Sequence, residues 1–158
     1  AGSLTKRIGI PTGEKLNRTI VEFYYKDDEL QDPLVSEEHI LTFGWASQNE
    51  LDEITSLALR INDFLAGYFS AIKIKLIDFK IEFGRLYKND DVYVVLADEI
   101  SPDSCRLWDS ETKQKMDKDV YRENSGYLLD GYNEVAKRMG LITENNASKN
   151  KKPTLVKG

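Results

Sequence analysis

Between residues 76 and 84 the chain reads LIDFKIEFG, in which Asp78, Lys80 and Glu82 alternate with Ile77, Phe79, Ile81 and Phe83. Polar residues alternating with β-branched and aromatic ones are the signal of a half-buried strand, so a single extended strand would set three charges on one face. Antiparallel sheets commonly leave one face in water, and i, i+2 charges of opposite sign attract modestly, so plain solvated surface is one reading of that face. The other reading is a cation site, and the next segment bears on it.

A second run, VYVVLADE (92–99), follows the turn segment KNDD, and the two runs together predict a β-hairpin. If Asn89, Asp90 and Asp91 form a three-residue loop, facing residues have numbers summing to 180, which puts Glu82 opposite Asp98 on one face. A loop of two or four residues puts them on opposite faces. Two carboxylates facing one another repel and raise one pKa. An oxygen-loving cation such as Mg²⁺, held by one or two carboxylates with phosphates and waters completing its octahedron, compensates both.

The segment ISPDSCRLWDSETKQKMDKD (100–119) brings Arg106 directly after this hairpin. The planar guanidinium suits bidentate binding of phosphate or carboxylate, and its bland alternative is a surface salt bridge with Asp103 or Asp109.

Positioning these groups needs a scaffold. IVEFYYK (20–26) reads as a strand, and KDDELQDPLVSEEH (26–39) as a polar loop in which Asp32, ahead of Pro33, is extended or in a turn. Ser47 and Glu50 match a capping box. Apolar residues at 51, 54, 57, 58, 61, 64, 65, 68 and 69 then predict a long amphipathic helix over 48–71. Helical spacing returns from 119 to 139 and stops at Gly140, despite Gly126 and Gly131 inside the run. The expected fold class is α+β, an antiparallel sheet with packed helices.

At 158 residues, 41% hydrophobic and 31% charged, the chain is expected to form one domain over 1–141 with a flexible tail at 142–158. A net charge of −5 argues against broad nucleic-acid binding, and small molecules are the expected partners. No run of about 18 apolar residues suggests a membrane span. The single Cys105 cannot form an internal disulfide, which points to a reducing cytoplasm, and with His39 the only histidine, both are expected to be structural. No internal repeat, Cys/His metal cluster, P-loop or dinucleotide fingerprint is present.

Five stretches, in order, resemble one family. LIDFKIEFG resembles a signature of the phosphoribosylaminoimidazole-succinocarboxamide synthases, the SAICAR synthetases of purine biosynthesis. AGSLTKR resembles the end of the family's other signature, TFGW its helix-leading segment, ADEISPDSCRLWD its acidic and arginine loop, and KMDKDVYR the start of its terminal helix. The resemblance runs from residue 1 to about 141 and implies the carboxy-terminal portion of an ATP-grasp-like enzyme, without the amino-terminal subdomain that closes over ATP. This chain alone is therefore expected to be inactive or nearly so.

The resemblance implies an ATP-dependent ligase that joins L-aspartate to carboxyaminoimidazole ribonucleotide through an acyl phosphate. Its cofactors would be ATP and Mg²⁺. Glu82 and Asp98 would bind the metal. Lys80 would sit near the imidazole carboxylate or the transferred phosphate, with Asp78 holding it in place. Ser3 and Arg106 would hold the nucleotide's phosphate, with Lys6 or Arg7, Lys118 and Arg122 as nearby candidates, while the loop around Asp32 is a weak candidate for binding aspartate. The family is commonly oligomeric. Two other readings are a catalytically silent purine-nucleotide-binding module and a kinase-like ATP-binding domain.

Overall fold

The structure, a computed structural model, describes residues 2–11, 13–123 and 126–142, with residues 2, 3 and 128 described by their backbone alone. The expected tail beyond residue 142 lies outside the described residues. The chain divides into two compact units. Unit 1 comprises Ala1–Gly67 and Lys80–Glu99, and unit 2 comprises Tyr68–Phe79 and Ile100–Gly158.

Unit 1 begins with α1 (Gly2–Ile8), which ends at Gly9, a residue at φ +71° whose amide returns to the Thr5 carbonyl at 2.9 Å. Only residues without a Cβ enter that left-handed region cheaply, so this is an ordinary helix stop. The expected strand over 20–26 shrinks to β1 (Phe23–Tyr24), paired antiparallel with β2 (Leu34–Val35). The expected polar loop thus contains β2 and the start of α2 (Glu37–Thr42). Ser36 caps α2, and His39 returns the favour by accepting from the Ser36 amide through Nδ1 at 3.3 Å. The one histidine is thereby occupied in a cap.

Helix α3 (Gln48–Ala71) has the expected bounds. Its capping box is formed: the Ser47 amide donates to Glu50 Oε2 at 2.8 Å, and the Glu50 amide to Ser47 Oγ at 3.4 Å. The helix runs from unit 1 into the first residues of unit 2.

The single strand expected over 76–84 is two strands. β3 (Ile74–Phe79) lies in unit 2 and β4 (Phe83–Lys88) in unit 1, with 80–82 between them outside any strand. Period-two alternation persists across the break, which is why the sequence conceals it. β4 pairs with β5 (Asp91–Leu96) through a two-residue turn, Asn89 and Asp90, at φ +50° and +66°. Two successive left-handed residues make the turn that matches strand twist, and Asn and Asp tolerate that conformation better than other side chains. The three-residue loop is therefore corrected: Phe83 faces Leu96, and beyond the ladder the Ala97 amide donates to the Glu82 carbonyl at 2.9 Å. Asp98 is not the cross-strand partner of Glu82.

In unit 2, β3 pairs antiparallel with β6 (Cys105–Asp109), a strand inside the segment expected to be a loop. The register shifts between Leu76 and Asp78, so Ile77 is an extra residue on β3. That bulge brings Asp78 directly opposite Arg106. The expected helix over 119–139 is also two pieces, α4 (Asp119–Arg122) and α5 (Leu128–Arg138). α5 ends as expected at Gly140, at φ +74°, with Leu141 N bonded to Ala136 O and Gly140 N to Lys137 O, each at 2.9 Å.

Buried apolar residues concentrate in unit 2, where Phe69, Ile74, Cys105, Leu107, Met116, Val120 and Val135 form its core. In unit 1 the corresponding residues are Ile40, Leu51 and Leu65. Among the described residues no helix is long and apolar enough to cross a membrane.

Candidate functional site

Two clusters of charged side chains contain most of the residues singled out above, one in each unit. In unit 1, Glu82 is the centre. Lys26 Nζ donates to Glu82 Oε2 at 2.5 Å, and Lys80 Nζ lies 3.3 Å from Glu82 Oε1. Lys80 also donates to Asp32 Oδ2 at 3.1 Å, and the other oxygen of Asp32 accepts from the Asp27 amide at 3.0 Å.

Asp32 occupies a strained backbone. It follows Gln31, and both take left-handed φ values, 49° and 59°, immediately before Pro33. Left-handed conformations are uncommon outside glycine, and such strain concentrates at functional sites. The bend turns the Asp32 carboxylate toward Lys80, a residue 48 positions away.

Electrostatics tie Asp98 to the same group. Hydrogen bonds from Glu99, including its amide at 2.9 Å, hold the Asp98 carboxyl below its ordinary value, and the fields of Lys26 and Lys80 lower it further. The hydrogen bond to Glu82 raises Lys26. For Lys80 the bond to Asp32 is the largest cause of an upward shift, outweighing partial burial, and Glu82 adds to it. The two lysines thus do what the facing-carboxylate reading assigned to a metal: they neutralise the acids. Among the described residues no group of three or more His, Cys, Asp or Glu is arranged to hold a metal ion.

Unit 2 builds its cluster on Arg106. From β6 its Nη1 donates to Asp78 Oδ2 at 2.7 Å and its Nε to Asp119 Oδ2 at 2.6 Å. Asp78, expected beside Lys80, therefore meets Arg106 across the sheet. Arg122 Nη1 donates to the other Asp119 oxygen at 2.9 Å, and Lys118 Nζ lies 3.8 Å from Asp103 Oδ1. Burial opposes ionisation of Asp119, but the hydrogen bonds from Arg106 and Arg122 outweigh it and leave the carboxyl below its ordinary value. The expected bland partners of Arg106, Asp103 and Asp109, are engaged elsewhere: Asp103 accepts from the Tyr132 hydroxyl, and Asp109 from Arg138 Nη2 at 2.7 Å.

Behind this cluster lies Asp117, 1% exposed. Its two oxygens accept from the Leu107 amide at 2.7 Å and the Asp119 amide at 2.8 Å. Burial nevertheless pushes its carboxyl above the usual range. Cys105 is buried too, and burial likewise raises its thiol, so it is a core residue.

The remaining candidates lie on α1. Arg7 is paired with Glu22, whose other oxygen accepts from Tyr24 at 3.1 Å, and Lys6 is exposed. The side chain of Ser3 lies outside the described residues. Sequence reasoning missed Lys26 and Asp119. Nothing local marks Lys26, which meets Glu82 across 56 positions. Asp119 had a signal, its i, i+3 spacing to Arg122 at the start of a helix.

Comparison with known proteins bears on the family resemblance. A family model described as SAICAR synthetase matches residues 1–139. The phosphoribosylaminoimidazole-succinocarboxamide synthase of Sinorhizobium medicae is 61% identical over 157 residues, covering 99% of this chain and 62% of that protein. That of Parvibaculum lavamentivorans is 60% identical over the same shares. Among solved structures, the synthase from Ehrlichia chaffeensis has a TM-score of 0.86 at 49% identity, covering 91% of this chain and 61% of that one. A SAICAR synthetase (type-2) in complex with ADP has a TM-score of 0.82 at 44% identity, covering 98% and 61%. The chain thus spans about 62% of the length of the curated relatives it matches. With the fold, the ordered signatures and the match over residues 1–139 all in agreement, the chain belongs to the SAICAR synthetase family.

Proposed function

We propose that this chain is the nucleotide-substrate and metal-binding portion of an ATP-dependent ligase that joins L-aspartate to carboxyaminoimidazole ribonucleotide, giving SAICAR, ADP and phosphate. The observation that carries the reading is 61% identity over 157 residues to synthases of that name. The ADP complex among the structural neighbours supports nucleotide use. A purine-biosynthetic role and a single buried thiol suit a reducing cytoplasm.

A carboxylate is a poor acyl donor, so the reaction must first activate it. An oxygen of the imidazole carboxylate attacks the γ-phosphorus of ATP, the bond to the bridging oxygen breaks, and ADP leaves. The aspartate amine then attacks the acyl carbon, phosphate departs with the C–O bond's electrons, and the nitrogen loses a proton. Charge accumulates on phosphoryl oxygens in the first step and on the departing phosphate in the second, so fixed cations are the main requirement.

Glu82 and Asp98 would hold Mg²⁺, which supplies Lewis-acid stabilisation of phosphate oxygens. Lys80, kept protonated by Asp32 and Glu82, would place its ammonium beside the carboxylate or the transferred phosphoryl group. In unit 2, Arg106 would meet the nucleotide's 5′-phosphate, with Arg122 and Lys118 beside it and Asp78 orienting the guanidinium. Ser3 and Lys6 or Arg7 are further candidates for the nucleotide. A preformed, ion-paired cation costs little reorganisation when an anion arrives, which favours these assignments.

The test is a calorimetric titration of carboxyaminoimidazole ribonucleotide into the chain with Mg²⁺, repeated on Arg106→Ala. Binding that weakens about tenfold or more in the variant is expected, as for loss of a charge-assisted hydrogen bond. Equal affinity in both proteins would remove Arg106 from the site.

A further inference from the structure

We infer that Asp119 is a positioning residue: its carboxylate clasps Arg106 and Arg122 at once and sets the spacing of two guanidinium groups that together receive a phosphate monoester. The inference rests on the reading that Arg106 meets the nucleotide's phosphate.

The geometry is a shared anion between two cations. Asp119 Oδ2 accepts from Arg106 Nε at 2.6 Å and Oδ1 from Arg122 Nη1 at 2.9 Å. The carboxylate lies inward, with its side chain 12% exposed, whereas the Arg122 side chain is 54% exposed. Each guanidinium has five N–H donors. Among the described residues these carboxylates engage Nε and Nη1 of Arg106 and Nη1 of Arg122, so an incoming anion would be met by the Nη2 groups.

Two arginines left to themselves would repel and spread. A carboxylate between them cancels that repulsion and fixes their separation, which an arriving phosphate would otherwise have to impose at an entropic cost. The carboxylate is itself held. Asp117 ties the Asp119 amide to the Leu107 amide, so α4 and the strand bearing Arg106 are joined through one buried group. Arg106 also has Asp78 opposite it across the bulged sheet. The arrangement balances two guanidinium charges with two carboxylates, leaving Lys118, 3.8 Å from Asp103, as the nearby cation for a dianion.

Buried ion pairs are weak devices for stability, since desolvation offsets much of their attraction. Their stronger use is to fix geometry, and a geometric role makes a distinct prediction: removing Asp119 should affect recognition of the phosphate and spare recognition of the base and ribose.

Calorimetry on the 158-residue chain reads this out with 5-aminoimidazole-4-carboxamide ribonucleotide and its riboside, which lacks only the phosphate. The ratio of riboside to ribonucleotide Kd isolates the phosphate's share. In the unaltered chain this ratio should be well above one, and Arg106→Ala should collapse it. Asp119→Asn should lower it about tenfold while leaving riboside affinity as it was, the effect of losing one charge-assisted contact. Asp119→Glu retains the charge but lengthens the arm by one methylene, so positioning predicts a lowered ratio there as well. The double variant Arg106→Ala/Asp119→Asn should be no worse than Arg106→Ala, because Asp119 acts through the arginines.

An unchanged ratio in Asp119→Asn and Asp119→Glu, with Arg106→Ala still lowering it, would overturn the role of Asp119 and leave the phosphate site standing. Equal loss of ribonucleotide and riboside in both Asp119 variants would also overturn it, as a purely structural role. No preference for the ribonucleotide in the unaltered chain, or no effect of Arg106→Ala, would remove the phosphate site and the inference together.

Discussion

The two charged clusters are made of the same residue types and are built differently. In unit 1, Lys26, Lys80, Asp32 and Glu82 meet at the surface, and the Lys26 side chain is 70% exposed. In unit 2, Arg106 and Asp78 sit on a sheet whose inward residues include Leu107, at 0% exposure, while Asp119 reaches Arg106 from α4 and Asp117 is buried nearby. Lysine is a flexible, strongly hydrated point charge, and arginine a rigid fork that keeps its geometry when partly buried. The difference suits different tasks: a mobile ammonium can follow a group that moves during reaction, and a clamped guanidinium can hold an end of the substrate that does not.

The comparison breaks most readily at Asp117. Replacing it with alanine strands the Leu107 and Asp119 amides inside unit 2, and each unmade buried hydrogen bond costs about 1–3 kcal/mol, so Asp117→Ala should lose about 2–6 kcal/mol in urea unfolding. A loss below about 1 kcal/mol would mean that water reaches those amides and that the cluster is not rigidly supported.

Gly131→Ala tests the same unit from the helix side. A Cβ there would lie 3.0 Å from Met116 Cα and 3.1 Å from its carbonyl carbon, and backbone cannot swing aside. Overpacking of about 1–3 kcal/mol should outweigh the gain of about 1 kcal/mol in helix propensity, lowering Tm. A raised Tm would show that α5 can shift away from Met116.

Unit 1 should respond to pH. Hydrogen bonds from Arg85, at 2.6 and 3.0 Å, and then from Ser47 hold the Glu50 carboxyl down from 4.5 to about 2. A depressed carboxyl contributes stability above its unfolded value that disappears as pH falls through its folded one. Stability should therefore decline between pH 4.5 and about 2, and Arg85→Ala should flatten that part of the profile in denaturant midpoints taken against pH. An identical slope in the variant would rule the pair out as its source.

The smallest effect is expected at Lys26. Exposed ion pairs are largely offset by hydration and side-chain entropy, so Lys26→Ala should leave Tm unchanged within scatter. A fall matching that of Gly131→Ala would make the pair structural and erase the contrast between the units.

Local signals were readable where the physics is local. The Ser47 and Glu50 box and the apolar stripe from Leu51 to Phe69 specify α3, because capping and helical periodicity need only neighbours three or four residues away. Gly140 stops α5 for the same reason. β6 was hidden because its inward residues include Asp109, whose burial depends on Arg138 and the Thr112 turn rather than on its own hydrophobicity.

Several members of the two charged clusters were likewise legible, since the signatures LIDFKIEFG and ADEISPDSCRLWD contain Asp78, Lys80, Glu82 and Arg106. Their partners were not. A break at 80–82 sends Asp78 to Arg106 and Lys80 to Asp32, and a two-residue turn in place of three moves Asp98 out of line with Glu82. Chemistry resides in side-chain type, so the sequence by itself determined which groups are available and where α3 begins and ends. Pairing depends on strand register, one bulge at Ile77 and contacts between residues as far apart as 26 and 82, and those are settled only when the chain closes on itself.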